Sequence, residues 1–208
     1  MLLLVSGATP TVRKYAASPN LGCLLTPRSR NSLESMAGLP WAADNDCFGG
    51  FDSAAESRFR AMLTKIAGTS PLFVTAPDVV ADAACTLAMF DTWEPIIREH
   101  GLPVALVLQD GQEKLCMPWG RCEAVFIGGS TDYKLSDTVR WLVREAKWRG
   151  KWVHMGRVNS LERLRIARDM GCDSVDGTGY SRFPDANLPG ALKYLQHEQL
   201  VMNFYEPI

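Results

Sequence analysis

The sequence predicts a (β/α)8 barrel, a minimal closed parallel sheet of eight strands wrapped by helices, and three observations predict it. Eight short apolar runs are near-continuous rather than alternating, as strands buried on both faces are. Amphipathic stretches at helical spacing separate them, and strand–helix alternation specifies a parallel sheet. The chain has 208 residues, at the low end of the barrel range of about 200 to over 400. An open doubly wound sheet is the competing arrangement. No GxGxxG or Walker loop follows any of the runs, which weakens its nucleotide-binding version.

In chain order, the predicted strands are residues 2–7, 21–25, 41–44, 72–75, 104–108, 124–127, 152–155 and 173–175. Phe51, Ala55, Phe59, Met62, Leu63 and Ile66 share one helical face. Residues 79–100 read as a helix bent near Pro95. Val139, Leu142, Val143 and Ala146 mark another apolar stripe. Asn159 with Glu162 reads as a cap and capping-box acid for a helix to Met170, which Gly171 stops. Residues 188–196 form the last predicted helix. No repeat, linker or low-complexity tract divides the chain, so residues 1–208 read as one domain.

Composition bounds the function. The chain is 47% apolar and 22% charged, with a mean hydropathy of −0.06, which excludes disorder as a description of the whole. No apolar run approaches the roughly 18 residues of a membrane span. The start Met1-Leu2-Leu3-Leu4-Val5 lacks the basic leader of a signal peptide, so the expected location is the cytoplasm. Lys and Arg number 22 against 23 Asp and Glu, a net charge of −1. Bulk charge cannot hold a polyanion; nucleic-acid binding requires a local basic patch. The six cysteines (Cys23, Cys47, Cys85, Cys116, Cys122 and Cys172) show no CxxC or CxC pair, and no histidine stands at zinc-finger spacing from one. They read as buried thiols, with no metal expected and no cofactor.

In a barrel, chemistry sits where strands end at the C-terminal face. The run 41–44 leads into Asp44-Asn45-Asp46-Cys47-Phe48-Gly49-Gly50, 72–75 into Asp78, and 104–108 into Gln109-Asp110. Residues 124–127 lead into Gly128-Gly129, 152–155 closes on His154-Met155-Gly156-Arg157, and 173–175 meets Asp176-Gly177. Any one Asp here serves equally as a turn former or helix cap, and His154 inside an apolar strand reads first as a core histidine. The series is more specific than its members, because turn chemistry does not require a polar group at nearly every strand end. Three carboxylates at one mouth suit glycosyl chemistry: one attacks an anomeric carbon, another handles protons, a third accepts hydrogen bonds from a base edge. Amides of Gln109 and of the Gly128-Gly129 backbone suit a carbonyl oxygen, and the set fits a guanine-like ring.

At these residues the sequence resembles the tRNA-guanine transglycosylase superfamily. Asp44-Asn45-Asp46-Cys47-Phe48 is similar to that family's Asp-Ser-Gly-Gly-Phe motif, and 106–111 to its Gln-Gly strand end. Phe126-Ile127-Gly128-Gly129 is similar to its Gly-rich base-binding loop, His154-Met155-Gly156 to its Leu-Met-Gly strand end, and 171–176 to its Gly-Ile-Asp-Met-Phe-Asp motif. The motifs come in the same order from about Trp41 to Thr178. The resemblance implies Asp176 as the nucleophile that attacks C1′ and expels guanine, Asp44 as the acid/base, and Asp78 as the acid that reads the base edge. It implies Gln109, Gly128 and Gly129 at the base carbonyl, and Met155 and Gly156 as the wall on which the base packs. Phe48 is a further base contact.

Two departures narrow the expectation. The tRNA enzymes carry a C-terminal subdomain with three cysteines and a histidine on zinc, whereas no cysteine follows Cys172 here. The motif before Phe48 holds a second acid, so either Asp44 or Asp46 is the acid/base. The short, zinc-free pattern is more similar to the deazaguanine DNA transglycosylases of phages and bacterial genomic islands, which exchange guanine in DNA for a 7-deazaguanine such as preQ0. The implied partners are DNA, single-stranded or with the target base flipped, and the free base; a helper protein that opens the duplex is compatible with the near-neutral charge. Arg28, Arg30, Arg157 and Arg182, on loops expected near the mouth, are the phosphate candidates. Lys134, Arg140, Arg144, Lys147, Arg149 and Lys151 read as a solvated helix face. Phe48, Trp119 and Tyr180 are candidates for base stacking, with Trp119 equally a loop anchor. The alternatives are the same chemistry on tRNA, a non-catalytic purine-binding barrel, and an unrelated aldolase or phosphosugar isomerase. The last class calls for a catalytic Lys, and Lys151 stands at the wrong end of its strand.

Overall fold

The computed structural model describes residues 1–7, 9–29 and 32–205, with side chains described to His197. Arg30, one of the phosphate candidates, lies outside the described residues. The strands are β1 (Leu2–Val5), β2 (Leu21–Leu25), β3 (Trp41–Ala43), β4 (Val74–Thr75), β5 (Val104–Leu108), β6 (Ala124–Ile127), β7 (Trp152–Met155) and β8 (Ser174–Asp176). Each pairs in parallel with the next, and β8 closes on β1, with Leu4 opposite Asp176. The helices are α1 (Pro10–Arg13), α2 (Ser53–Ile66), α3 (Ala83–Glu99), α4 (Thr131–Lys134), α5 (Asp137–Trp148), α6 (Leu161–Asp169), α7 (Thr178–Arg182) and α8 (Pro184–Tyr205). The predicted TIM-type barrel is the fold. Among the described residues, no helix is long and apolar enough to cross a membrane.

Strand side chains alternate between the barrel interior and the helix layer. The interior holds Leu4, Leu24, Ala42, Phe73, Ala105 and Ala124, with Phe126 and Trp152 packed against them. Small residues face the bulky rings, which fills the barrel rather than leaving a pore. Gly22 belongs to this fit: a Cβ there would lie 2.6 Å from the Leu4 side chain and 2.7 Å from the Pro40 carbonyl oxygen. The opposite strand faces, with Phe59, Leu63, Phe90, Ile97, Leu142 and Val143 of the helices, form the larger outer core. Each such side chain contributes about 1.5–3 kcal/mol on full burial.

Four predicted strands keep their bounds, and the others shift by one to two residues at an end. The helix predicted over 79–100 starts only at Ala83, because Asp82 caps it by accepting from Cys85 N at 2.9 Å. Residues 79–82 become part of the mouth loop instead. Pro95 lies inside α3, which continues to Glu99. The cap of α6 is Ser160, not Asn159; the Asn159 side chain accepts from Gly179 N at 3.1 Å and ties the loop after β7 to α7. Cys85 and Cys116 are exposed, whereas the other four cysteines are buried as expected.

Candidate active site at the C-terminal mouth of the barrel

A cavity of about 120 Å³ opens where the strands end. The loop after β3 supplies Asp44, Asn45, Asp46, Cys47 and Phe48. Thr75 and Asp78 come from β4 and its loop, and Val107 and Gln109 from β5. Phe126, Gly128 and Gly129 come from β6, Lys134 from α4, and Gly156, Arg157 and Asp176 from the ends of β7 and β8. The predicted carboxylates Asp44, Asp78 and Asp176 therefore share one cavity. All three non-glycine residues with positive φ among those described stand at this mouth: Asp46 at 59°, Ala81 at 61° and Arg157 at 60°. Left-handed backbone costs a non-glycine residue about 1–3 kcal/mol and persists where its surroundings enforce it, as they do at functional sites.

Asp176 is held by a chain of hydrogen bonds running into the barrel. The Trp152 indole Nε1–H donates to Ser174 Oγ at 2.8 Å. Ser174 Oγ lies 2.8 Å from His154 Nδ1, and His154 Nε2 lies 2.9 Å from Asp176 Oδ2. An indole N–H only donates. Ser174 Oγ therefore accepts it, and the His154 ring bridges that hydroxyl to the Asp176 carboxylate. The Arg157 backbone N–H donates to the other oxygen, Oδ1, at 3.3 Å. His154 is fully buried, 4.5 Å from the Phe126 ring and 5.3 Å from the Phe73 ring, centroid to centroid.

Asp44 stands in a different environment. Burial together with the charges of Asp176 and Asp78 pushes its carboxyl up to about 8, against the opposing pull of the Asn45 backbone N–H. Asp78 is buried and raised as well, by desolvation, although two amides oppose it. Asn45 Nδ2 donates to its Oδ1 at 2.7 Å and Gln109 Nε2 to its Oδ2 at 2.6 Å. Gln109 Oε1 in turn accepts from Ala81 N at 2.9 Å, holding the left-handed turn. Gln109 thus braces Asp78 and the loop before α3 rather than standing free for a ligand. Asp46 sits at the rim, ion-paired to Arg28 at 3.0 Å.

Gly128 and Gly156 permit a close approach. A Cβ on Gly128 would lie 2.7 Å from Gln109 Nε2, and one on Gly156 would lie 2.6 Å from the Phe126 ring and 3.4 Å from Asp176 Oδ2. The Gly128 N–H already donates to Leu108 O at 3.0 Å, so of the two glycine amides only that of Gly129 is left for a ligand carbonyl. Met155 corrects the expectation of a base-packing wall. It alternates with His154 along β7 and so faces the helix layer, buried in the outer core and away from this cavity.

Phe48 is 71% exposed at the lip, with the Arg157 guanidinium 5.0 Å from its ring centroid. That guanidinium also donates to Gly129 O at 2.9 Å, tying the loops after β6 and β7 together. Arg182 is exposed at the end of α7. Tyr180 is buried in the outer core and not free to stack on a base, whereas Trp119 is half-buried against that core with the Arg149 guanidinium 5.4 Å from its ring centroid.

Of the residues outside the predicted site, two bear directly on its chemistry. His154 reaches Asp176, and the two-residue period of β7, which puts Trp152 and His154 on one face, could have signalled it. Lys134 is not on the solvated face of α5. It ends the one-turn α4, is buried, and donates from Nζ to Gly156 O at 2.7 Å. Among the described residues, no group of three His, Cys, Asp or Glu is arranged to hold a metal ion.

Fold and mouth together define the class as a (β/α)8 barrel with an acidic, partly desolvated cavity at its C-terminal face. No protein-family model matches the sequence, and no curated protein matches it. Among solved structures, the HpcH/HpaI aldolase from Desulfitobacterium hafniense DCB-2 is similar at 13% identity, over 99% of this chain and 92% of that chain, with a TM-score of 0.48. The chemistry is therefore read from the site's own residues.

Proposed function

We propose that the protein exchanges guanine in DNA for a 7-deazaguanine base such as preQ0, through a covalent aspartyl-glycosyl intermediate. The observation that carries this reading is the division of labour between two carboxyls in one cavity. Asp176 offers an oxygen pair oriented by His154 and the Arg157 N–H, whereas Asp44 is held protonated to about 8. Carboxyls whose environments differ in this way take different roles, one as nucleophile and one as acid.

In this reading, a flipped nucleotide enters the mouth with C1′ toward Asp176. The carboxylate attacks C1′ as the glycosidic bond breaks, and Asp44 supplies the proton that the departing guanine takes up. The incoming base returns a proton to Asp44 as its nitrogen displaces Asp176. Two displacements at one carbon retain configuration. Asp44 suits the acid/base role better than Asp46, whose carboxylate is paired with Arg28. Asp78 keeps unused lone pairs for the base edge after accepting from Asn45 and Gln109, and the Gly129 N–H meets the base carbonyl. Phe48 and Arg157 form the lip, with Arg28 and Arg182 as outer phosphate contacts.

Incubation with radiolabelled guanine and, in parallel, duplex DNA, single-stranded DNA and unmodified tRNA tests the reading. Label is expected in DNA and not in tRNA, and Asp176→Asn is expected to incorporate none. Label in tRNA alone overturns the substrate, and label in none of them overturns the exchange reaction.

A further inference from the structure

A second cavity, about 210 Å³, lies beside the first between the loop that carries α4 and the loop that leads from β7 into α6. Thr131, Lys134, Arg157, Asn159 and Arg163 line it beside the apolar Leu135, Met155 and Val158, and it shares Lys134, Gly156 and Arg157 with the acidic cavity. Three of these residues are cations: Lys134, whose Nζ donates to Gly156 O, Arg157, whose guanidinium donates to Gly129 O, and Arg163. Arg60, Arg98, Arg121, Lys147 and Arg149 each reach a carboxylate. Among the described residues, Lys134, Arg157 and Arg163 form no ion pair. Lys134 is buried, and the charges of Arg157 and Arg163 add to burial in pushing its ammonium down to about 8. Asp176 and Asp110 act in the other direction from beyond ion-pair distance. Asp110 is occupied, accepting from Ser130 N at 2.8 Å and Ser130 Oγ at 2.5 Å. A buried cation crowded by two others is costly unless an anion completes the set.

We infer that this second cavity is a phosphate-binding site, completed by Lys134, Arg157 and Arg163 with Thr131 and Asn159 as neutral hydrogen-bonding partners. Guanidinium and ammonium donors arranged around a concave space match the several acceptor oxygens of a phosphate. The anion site stands on the geometry alone. Its ligand rests on the proposed function: a phosphate here is one shared wall away from Asp176, so it is the phosphodiester adjoining the nucleotide whose C1′ is attacked. The site thereby fixes the sugar's position before the base is cut.

Calorimetric titration with inorganic phosphate, deoxyguanosine, the 3′- and 5′-monophosphates of deoxyguanosine, and free guanine tests this on the wild type and on Arg163→Gln. Arg163 lines only the second cavity, so the variant leaves the acidic cavity untouched. The wild type is expected to bind inorganic phosphate, and one of the two nucleotides about tenfold or more tighter than the nucleoside. Arg163→Gln is expected to weaken phosphate and erase the nucleotide preference while guanine affinity is unchanged. Phosphate bound through Arg163 with no binding of guanine or nucleotide upholds the anion site and overturns its assignment to a nucleotide. Absent phosphate binding, or a nucleotide preference untouched in Arg163→Gln, overturns the proposal. A melting temperature raised by phosphate over chloride at equal ionic strength, in the wild type alone, supports the same site without relying on the titration; equal shifts in both proteins contradict it.

Discussion

His154 Nε2 lies 2.9 Å from Asp176 Oδ2, and the imidazole has no solvent exposure. The mouth of the barrel is thus wired to its interior: Trp152 donates to the Ser174 hydroxyl oxygen, Ser174 holds one ring nitrogen of His154, and the other ring nitrogen holds one carboxylate oxygen. A positioned oxygen lowers the cost of reaching the attacking geometry.

His154→Leu removes the partner of Asp176 Oδ2 and leaves Ser174 Oγ with Trp152 alone. Turnover is expected to fall about 10²-fold through misplacement of the carboxylate, with a stability loss of about 1–3 kcal/mol from the unpaired buried groups. His154→Gln, which can still donate an N–H, is expected to keep more of both. Base-exchange rates and urea unfolding of the two variants check this; equal rates in Leu and Gln variants contradict the positioning role.

Gly156→Ala places a methyl against the Phe126 ring and near Asp176 Oδ2. Relief requires the ring or the end of β7 to shift. A destabilisation of about 1–3 kcal/mol is expected, with a loss of base affinity because the cavity narrows. Denaturant unfolding and guanine titration measure the two effects separately.

The raised Asp44 carboxyl makes stability depend on pH. An unfolded Asp gives up its proton near its ordinary value of 3.8, whereas the folded one keeps it to about 8. Between these values the folded state binds more protons, so this group's contribution falls as pH rises from about 4 to 8 and is flat outside that window. Asp78, raised in the same direction, adds a change of the same sign. Asp44→Asn is therefore expected to melt above the wild type at pH 8 and together with it near pH 4. A constant difference across that range contradicts the assignment.

Asp46→Asn breaks the Arg28 ion pair at the rim but leaves Asp44 in place. Exchange is expected to persist within about tenfold, with a change in stability of less than about 1 kcal/mol, as for an exposed pair. Asp44→Ala is expected to abolish turnover while still binding the base. Reversal of these two results in a steady-state assay assigns the acid/base to Asp46.

The barrel was legible because eight buried strands leave apolar runs that no other periodicity explains, and four of them kept their bounds. The carboxylates were legible because Asp44, Asp78 and Asp176 stand at strand ends or within three residues of them. Lys134 was not, because five further basic residues follow it at intervals that mimic a solvated helix face. The helix break at Leu135 and Ser136, where Ser136 caps α5, separates it from them. Met155 belongs to the second cavity rather than the acidic one, because alternation along β7 puts it on the opposite face from His154. The roles of Asn45 and Gln109 as braces of Asp78 depend on contacts across loops 31 residues and more apart, which no local pattern encodes.

The central claim is a covalent bond between Asp176 and the sugar. The most direct measurement is the intact mass of protein quenched in acid after incubation with a guanine-containing oligonucleotide, in the absence of an incoming base. The wild type is expected to carry an adduct equal to the oligonucleotide less guanine, mapped to the peptide containing Asp176, and Asp176→Asn is expected to carry none. An adduct on another residue, or base exchange without any adduct under these conditions, contradicts the account.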